Sequence, residues 1–326
     1  MKHYKIVFTD YYYPNNKTEM EILGKIADVE IIDCAKLVSG GVKEEDQVLE
    51  YASDADALIV QFAHITRRVI EGLKNCRIIS RYAIGVDNID ITAAKEKGIV
   101  VANVPDYCTE EVSDTAIAHI LNCVRKITLA NNLFHNGDWA SYAKIKPIRR
   151  FGDLTIGFIA FGNIARRVAE KLRPYRNTML ACDPYYQDKD RYPWVKFLSL
   201  EELLGRSDII SIHIPLNKDT KYLINRDCLA LLKKGTIIVN TSRGGVIDET
   251  ALAEAVEDGR VAAAGLDVLD YIDEDYAKSI LIKYPDRVFI TPHIGWYSEE
   301  AIADLQRKTA LNVYEMLTNG KPLYRV

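Results

Sequence analysis

Several features that direct a protein to membranes or nucleic acids are missing from this sequence. It has no apolar run of the roughly 18–20 residues that cross a bilayer, and its first residues lack the apolar segment and cleavage site of a signal peptide. Basic residues are not in excess: the net charge is −4, so no cationic surface is indicated. We therefore expect a cytoplasmic protein whose partners include neither nucleic acid nor a membrane.

Cysteine is scarce and follows no recognisable pattern. The six cysteines include no CxxC pair and no spacing typical of a metal site. Cys123 and Cys182 lie in apolar helix and strand patterns, where a buried free thiol is the usual role. The sequence therefore predicts no bound metal and a reducing compartment.

The first third of the chain alternates short apolar runs with helical patterns. This alternation is typical of βαβ units and a mostly parallel sheet. The strand-like runs are at 5–8, 29–32, 57–60, 77–80 and 99–102.

A second series of the same kind begins at Leu154, after a long helical pattern at 110–125 and a polar connection at 135–153. Six strands are predicted in it, at 155–159, 178–182, 209–214, 236–240, 261–266 and 288–291. The last helical pattern, 299–317, has no following strand to cover. We expect this helix to pack on the first domain, which would make that domain discontinuous. The predicted fold is therefore α/β, with two doubly wound parallel sheets.

The strand at 155–159 runs into a sequence that resembles a dinucleotide-binding turn, G-x-G-x-x-G/A. The three motif positions are Ala160, Gly162 and Ala165, so the first departs from the pattern. Alanine there costs about 1–2 kcal/mol if the backbone is left-handed. Asp183 follows the next strand, where a carboxylate accepts hydrogen bonds from the adenine ribose and disfavours a 2′-phosphate. Together these features predict NAD rather than NADP.

Two polar segments follow other strands of this series. Arg243 comes just after the strand at 236–240, and His293 just after the strand at 288–291. An arginine can bind a carboxylate with two parallel hydrogen bonds, and a histidine can protonate a carbonyl oxygen as hydride arrives. Each residue taken alone also suits a structural role. His119 and His213 lie inside helix and strand patterns and are taken as structural.

Five blocks in order resemble the D-2-hydroxyacid dehydrogenases over nearly the whole chain. They are RYAIGVDNID at 81–90, NVPDYCTEEV at 103–112, NTSRGGVIDE at 240–249, GLDV at 265–268 and TPHIG at 291–295. Two shorter segments, His119–Asn122 and Trp296–Glu299, are more similar to one branch. That branch contains the C-terminal-binding-protein corepressors and their bacterial relatives.

The resemblance implies a discontinuous, flavodoxin-like substrate domain at 1–103 and 296–326, an NAD-binding Rossmann domain at 104–295, and a homodimer formed through the latter. It implies that Arg243 binds and polarises a 2-oxo acid and that His293 donates the proton. The substrate carboxylate would be held by the backbone of Ile84 and Gly85, with Arg81 and Trp296 lining the pocket. The residues implied to contact NAD are Gly162, Asn163, Ile164, Asp183, Pro215, Thr241 and Asp267.

One family residue is missing from its usual place, the glutamate that pairs with the histidine. Ile272 stands at that position, and we expect Asp273 or Glu274 to replace the glutamate through a loop insertion. The leading hypothesis is an NAD-dependent dehydrogenase that mainly reduces small 2-oxo acids. The alternatives are a non-enzymatic NAD(H)-responsive co-regulator and a degenerate dehydrogenase. The substrate side chain would depend on Gln61, Phe62, Tyr107, Trp296 and the tyrosines at 11–13.

Overall fold

The computed structural model describes residues 3–139, 142–270 and 276–326. The chain divides into two compact units, one formed by Met1–Tyr107 with Ser298–Val326 and the other by Cys108–Tyr297. Each unit has one parallel sheet flanked by helices. This confirms the predicted α/β class with two doubly wound sheets.

The first unit is built on five strands: β1 Tyr4–Phe8, β2 Val29–Asp33, β3 Ala57–Val60, β4 Ile78–Arg81 and β5 Val100–Ala102. Their order across the sheet is β2-β1-β3-β4-β5, and every pair is parallel. The helices between them are α1 Lys17–Leu23, α2 Cys34–Leu37, α3 Glu45–Ala52, α4 Arg67–Gly72 and α5 Ile91–Glu96. The central strand β3 is buried along its whole length, as expected for a parallel sheet covered on both faces.

The last helix of the chain, Glu299–Asn319, belongs to the first unit and packs against α1, β3 and β4. The Ser298 side chain caps its start by accepting a hydrogen bond from the NH of Ala301. On its buried face, the side-chain amide of Asn312 donates to the carbonyl oxygen of Asn103 at 3.0 Å. The helix therefore holds the segment that follows β5 as well as the sheet.

Glu19 on α1 is a fully buried carboxyl group in this unit. It accepts hydrogen bonds from the hydroxyl of Tyr82 at 2.6 Å and from the amide of Gln306 at 3.0 Å. Burial raises the pKa of Glu19 above its ordinary value, and these two hydrogen bonds only partly oppose that effect. The folded chain therefore holds the Glu19 proton more tightly than the unfolded chain does.

The Glu19→Gln variant is expected to lose part of the pH dependence of stability. Protonated Glu19 stabilises the wild type fully below the ordinary glutamate pKa, and this contribution is lost as the pH rises through the raised pKa of the folded state. The free energy of unfolding of Glu19→Gln relative to wild type should therefore increase from about pH 4 upwards and then level off. Urea unfolding at a series of pH values measures this difference. A difference that stays constant with pH would contradict the prediction.

The second unit is built on seven strands: β6 Thr155–Ile159, β7 Thr178–Cys182, β8 Val195–Phe197, β9 Ile209–Ile212, β10 Thr236–Asn240, β11 Val261–Leu266 and β12 Val288–Ile290. Their order is β12-β11-β10-β9-β6-β7-β8, and every pair is parallel. The helices are α6 Thr109–Arg125, α7 Ile127–His135, α8 Tyr142–Ile145, α9 Asn163–Leu172, α10 Leu200–Arg206, α11 Arg226–Ala230 and α12 Glu249–Glu257.

Three elements of this unit were not predicted from the sequence: β8, α7 and the four-residue helix α8, which lies in the stretch predicted as a polar connection. The prediction of six strands was wrong because β8, a three-residue edge strand paired with β7, is too short for an apolar pattern and exposes Lys196. Helix α7 follows α6 after Lys126, whose left-handed backbone at φ 54° separates the two. No residue of α7 is buried, so it has no periodic face directed at a core.

Two layers of apolar side chains cover the two faces of the second sheet. One contains Ile212, Ile238 and Leu252, and the other contains Phe158 and Ala116. Within the described ranges, no helix is long and apolar enough to cross a membrane, and no group of His, Cys, Asp and Glu is placed to hold a metal ion. All six cysteines are free thiols.

Candidate active site

The strands of the second sheet run parallel, so their carboxyl ends meet at one edge. The fold brings to this edge candidate residues from both ends of the unit's sequence. They are Gly162, Asn163 and Ile164 after β6, Asp183 after β7, Pro215 after β9, Thr241 and Arg243 after β10, Asp267 after β11 and His293 after β12.

The turn between β6 and α9 begins with Ala160 in a left-handed conformation, at φ 64°. Its NH donates to the carbonyl oxygen of Cys182 on the neighbouring strand at 2.9 Å, which ties this residue to the end of β7. A side chain at this φ is strained because Cβ approaches the following carbonyl oxygen. Ala160 therefore adopts the backbone conformation that favours glycine at this motif position, at a cost in stability.

Replacing Ala160 by Gly is expected to raise the free energy of unfolding of the second unit by about 1 kcal/mol, because glycine adopts this φ without strain. The melting temperature should rise by about 2–4 °C for a unit of this size. The matched control is Ala169→Gly in the middle of α9, which should lower stability by about 1 kcal/mol or more. Calorimetry on both variants measures the two shifts, and an Ala160→Gly variant no more stable than wild type would refute the expectation.

Gly162 is the N-cap of α9, and the protein itself does not require a glycine there. Its φ of −73° is ordinary, and no described atom lies within 4 Å of the position that a Cβ would take. Among the described residues, no side chain caps this helix start, and the first NH groups of an α-helix have no partner within the helix. Backbone NH groups at a helix start bind phosphate. This open cradle fits the pyrophosphate of a dinucleotide.

Asp183 lies directly after β7 and joins the neighbouring turn. Its Oδ2 accepts a hydrogen bond from the NH of Phe161 at 2.8 Å, and its Oδ1 accepts from the NH groups of Tyr185 and Tyr186 at 2.9 and 3.1 Å. The guanidinium of Arg166 stacks over the ring of Tyr186, 5.3 Å from its centre. The carboxylate is therefore held in one orientation beside the Gly162 cradle.

Thr241 supplies a second observation that fits a bound cofactor. Its Oγ1 is buried and has no hydrogen-bond partner among the described residues, and buried hydroxyl groups in proteins are nearly always paired. Pro215, after the adjacent strand β9, is exposed, and its carbonyl oxygen accepts from the Thr220 hydroxyl at 2.6 Å. Thr241 thus leaves a polar atom for a ligand at this edge.

Arg243 is placed by the turn that follows β10. The buried side chain of Asn240 donates to the carbonyl oxygen of Arg243 at 2.9 Å and accepts from the NH of Ser242 at 3.0 Å. Gly244 has no room for a side chain, because an added Cβ would lie 1.9 Å from the backbone of Leu269. The turn therefore packs directly on the segment after β11, which limits the positions open to Arg243.

His293 lies on the loop after β12 in a left-handed conformation, at φ 53°. Its NH donates to the backbone carbonyl of Asp267 at 2.9 Å. The buried Asp267 carboxylate accepts from the NH groups of Ile294 at 3.1 Å and Gly295 at 2.8 Å. Asp267 therefore holds the backbone of His293 and of the two residues that follow it. The indole NH of Trp296 donates to the carbonyl oxygen of His293 at 3.0 Å.

His119, taken from the sequence as structural, reaches the same loop from α6. Its Nε2 lies 3.0 Å from Oγ1 of Thr291, and that hydroxyl donates to Oδ1 of Asp267 at 2.6 Å. The only sequence signal for this arrangement was a polar residue inside the apolar stripe of a helix. His213 makes a separate contact, with its Nε2 2.8 Å from the Ser211 hydroxyl.

In the first unit, the turn after β4 shows a one-sided pattern of backbone hydrogen bonds. The carbonyl oxygens of Ala83, Ile84 and Gly85 accept from the NH of Val104, the amide of Asn103 and the guanidinium of Arg81, at 2.9, 2.7 and 2.6 Å. The NH groups of Ile84 and Gly85 donate to nothing within the described part of the chain. Two adjacent free NH groups are suited to bind an anion.

The segment after β3 is held against this turn. Arg81 Nε donates to the carbonyl oxygen of Gln61 at 3.3 Å, and the buried Asp10 carboxylate accepts from the NH groups of Gln61, Phe62 and Ala63. The half-exposed ring of Phe62 stacks on Tyr12 with 5.7 Å between ring centres. Of the aromatic side chains predicted near the substrate, Tyr12 and Phe62 therefore lie at the same edge of the first sheet as Ile84 and Gly85.

Three residues of the sequence-based hypothesis, Ile272, Asp273 and Glu274, lie outside the described residues. On either side of that stretch, the Glu249 carboxylate accepts from the NH of Asp270 at 2.8 Å and from the hydroxyl of Ser279 at 2.6 Å.

The chain is similar to known proteins over most of its length. Residues 117–295 match the family model for the NAD-binding domain of D-isomer specific 2-hydroxyacid dehydrogenases. The hydroxypyruvate reductase of Thermotoga maritima is 40% identical over 278 residues, which cover 84% of this chain and 87% of that protein.

Two further similarities extend the comparison. The D-3-phosphoglycerate dehydrogenase of Methanocaldococcus jannaschii is 36% identical over 91% of this chain, but this chain covers only 54% of that protein's length. The solved structure of a glyoxylate reductase from Paecilomyes thermophila matches with a TM-score of 0.87 at 25% identity, covering 100% of this chain and 99% of that one. These proteins carry names of reductases and dehydrogenases, which supports an enzyme over the co-regulator alternative.

Proposed function

Because this chain belongs to the D-isomer specific 2-hydroxyacid dehydrogenase family, an NAD-dependent family of oxidoreductases, we propose that Arg243 and His293 carry out the reduction of a small 2-oxo acid. One observation carries the proposal. Both residues lie at the carboxyl edge of the second sheet. Arg243 follows β10 and His293 follows β12, and these two strands flank β11, which leads to Asp267. Alternate strands are about 10 Å apart, a distance that side chains from both can span toward one small substrate.

Each residue has a separate task in this proposal. The hydride would come from NADH bound at the cofactor site. Arg243 presents its guanidinium to the carbonyl oxygen, where negative charge develops, and so lowers the barrier electrostatically. His293 gives a proton to the same oxygen, which leaves a hydroxyl group on the product.

The partner of His293 stays a hypothesis from the sequence. A carboxylate beside an imidazole favours its protonated form, and Asp273 or Glu274 would supply that carboxylate. Comparing Asp273→Asn with Glu274→Gln distinguishes the two, since only the residue in this role should lower turnover strongly.

For the first unit, we propose that the NH groups of Ile84 and Gly85 bind the substrate carboxylate and that Arg81 holds their turn in shape. The free NH pair and the hydrogen bond from Arg81 to the Gly85 carbonyl support this role. Arg81 and Trp296 are proposed to line the substrate pocket.

For the cofactor, we propose that the start of α9, with Gly162, Asn163 and Ile164, binds the pyrophosphate and that Asp183 binds the adenine ribose. Pro215, Thr241 and Asp267 complete the proposed contacts, and the orphaned hydroxyl of Thr241 supports them. Asp183 would repel a 2′-phosphate, so NADH should bind more tightly than NADPH.

The test is a spectrophotometric assay of NADH oxidation with 2-oxo acids that carry small, hydroxylated and aromatic side chains, repeated with NADPH. Turnover with at least one acid, faster with NADH, is the expected result. Absence of turnover with every acid, despite measurable NADH binding, would reject the enzymatic function for that panel. The finer assignment to the corepressor branch and a cytoplasmic location stay predictions.

We also propose that the protein is a homodimer formed through the second unit. Helix α7 has no buried residue, and Phe134 and Trp139 near its end are 52% and 85% exposed. Apolar surface of this kind is typical of an interface.

The Phe134→Asp variant is expected to dissociate the dimer, because a charge would be buried without a partner at the proposed contact. Light scattering coupled to gel filtration measures the mass of both proteins. The control is Tyr185→Asp, which places the same charge on another exposed aromatic residue, in the segment that follows β7. A wild-type monomer, or a Phe134→Asp variant that remains dimeric, would contradict this interface.

A further inference from the structure

A chain of hydrogen bonds connects helix α6 to the loop that carries His293. It runs from Nε2 of His119 to Oγ1 of Thr291 at 3.0 Å, and from that hydroxyl to Oδ1 of Asp267 at 2.6 Å. The Asp267 carboxylate then accepts the NH groups of Ile294 and Gly295 at 3.1 and 2.8 Å. All the residues in this chain of hydrogen bonds belong to the second unit.

The direction of the hydrogen bonds follows from the groups involved. A carboxylate only accepts, so the single hydroxyl proton of Thr291 is directed at Asp267. His119 must then donate its Nε2 proton to Thr291. Burial lowers the pKa of His119 while the Asp267 carboxylate partly opposes this, so the imidazole is neutral near neutral pH and its one proton sits on Nε2.

Two glycines make room for this chain. A Cβ at Gly265 on β11 would lie 2.7 Å from Cβ of His119 and 2.9 Å from its ring, so any larger residue would displace the imidazole. A Cβ at Gly295 would lie 2.7 Å from Oδ2 of Asp267. Both the histidine and the carboxylate are thus seated where only glycine permits.

The loop that this chain of hydrogen bonds holds contains a residue with an uncommon backbone conformation. His293 has a left-handed backbone, at φ 53°, a conformation that is uncommon for residues other than glycine. Asp267 holds this conformation by hydrogen bonds from the NH of His293 and from the NH groups of Ile294 and Gly295. The orientation of the Asp267 carboxylate is in turn set by Thr291, and that of Thr291 by His119.

We propose that His119 is a positioning residue for His293 and acts through Thr291 and Asp267. This inference rests on the proposed role of His293 as proton donor. It assigns a function to a histidine that contacts Thr291 although the two residues are 172 positions apart in the sequence. Because the effect is on orientation of the proton donor, it should appear in kcat rather than in the KM for the 2-oxo acid.

Two variants of His119 separate positioning from space filling. His119→Leu removes the donor and keeps an apolar side chain of similar size, whereas the amide of His119→Gln can donate from the position of Nε2. We expect kcat to fall about tenfold to a hundredfold in His119→Leu and to be largely restored in His119→Gln, with KM for the 2-oxo acid nearly unchanged. The control is Cys123→Ala, one turn further along α6 in the apolar core, which should lower the melting temperature without lowering kcat.

A second measurement does not depend on turnover. Hydrogen exchange of the Ile294 and Gly295 amides should be roughly tenfold faster in His119→Leu than in wild type, because the loss of one hydrogen bond loosens their acceptor. Exchange in Cys123→Ala should match the wild type in this loop. If no 2-oxo acid is reduced by the wild type, the proposed function fails, and the exchange rates still decide whether His119 holds the loop.

Three results would overturn the inference. The first is a kcat of His119→Leu within twofold of wild type. The second is unchanged exchange of the two loop amides. The third is a defect confined to the Kd for NADH, with kcat restored at saturating NADH, which would place the effect on the cofactor instead of on His293.

Discussion

The His293→Ala variant should reduce any accepted 2-oxo acid with a kcat about 10²–10⁴-fold lower than that of the wild type, because the carbonyl oxygen loses its proton donor. The KM for the acid should change much less, since the NH groups of Ile84 and Gly85 are proposed to bind its carboxylate. NADH oxidation under saturating conditions measures both constants.

The unusual backbone of His293 requires a matched control. Alanine at φ 53° is strained, so part of any defect could come from a displaced loop. Asparagine tolerates this conformation but has no imidazole. His293→Asn should therefore lose as much activity as His293→Ala while keeping the melting temperature closer to the wild type. Activity within tenfold of wild type in both variants would remove His293 from the mechanism.

The Arg243→Lys variant is expected to lower kcat/KM about 10²–10³-fold, although the positive charge is kept. Lysine presents a point charge on a flexible side chain instead of a planar, rigid group, so it does not hold a donor in a fixed orientation toward the carbonyl oxygen. The size follows from the loss of one oriented donor in the transition state. Steady-state kinetics beside an NADH titration measures the effect, and the Kd for NADH should be nearly unchanged.

Arg260 provides the control for this variant. It lies at the amino end of β11, opposite the candidate site, and its guanidinium donates to the carbonyl oxygen of Ala230 at 2.7 Å. Arg260→Lys should leave kcat/KM within about twofold of wild type, as surface substitutions usually have small effects. If Arg243→Lys lost no more activity than Arg260→Lys, a special role for Arg243 would be ruled out.

Strand positions in the second unit were largely readable from the sequence. The bounds of β6, β7, β10 and β11 were predicted to the residue because each is an apolar run that ends at a polar or turn residue. The edge strand β8 was missed, since three residues with an exposed lysine in the middle show no such run. Its strand conformation comes from pairing with β7, which is a tertiary contact.

The candidate site was predicted in its residue types and in its place at the strand ends, but not in its conformations. Ala160 and His293 have left-handed backbones, which are uncommon for residues other than glycine. No sequence pattern indicates this conformation at His293. Both conformations exist because Cys182 and Asp267 hold the adjoining backbone by hydrogen bonds.

The sequence by itself determined the two parallel sheets, the dinucleotide-binding turn and the presence of an arginine and a histidine after the right strands. These features depend on the order of apolar and polar residues along short stretches, and that order is present in the sequence before any tertiary contact forms. Tertiary structure decided the contact between His119 and Thr291, the orphaned hydroxyl of Thr241 and the free NH pair at Ile84 and Gly85. The physical reason is that a hydrogen-bond partner is chosen by distance in space, and distant segments meet only after the sheet has formed.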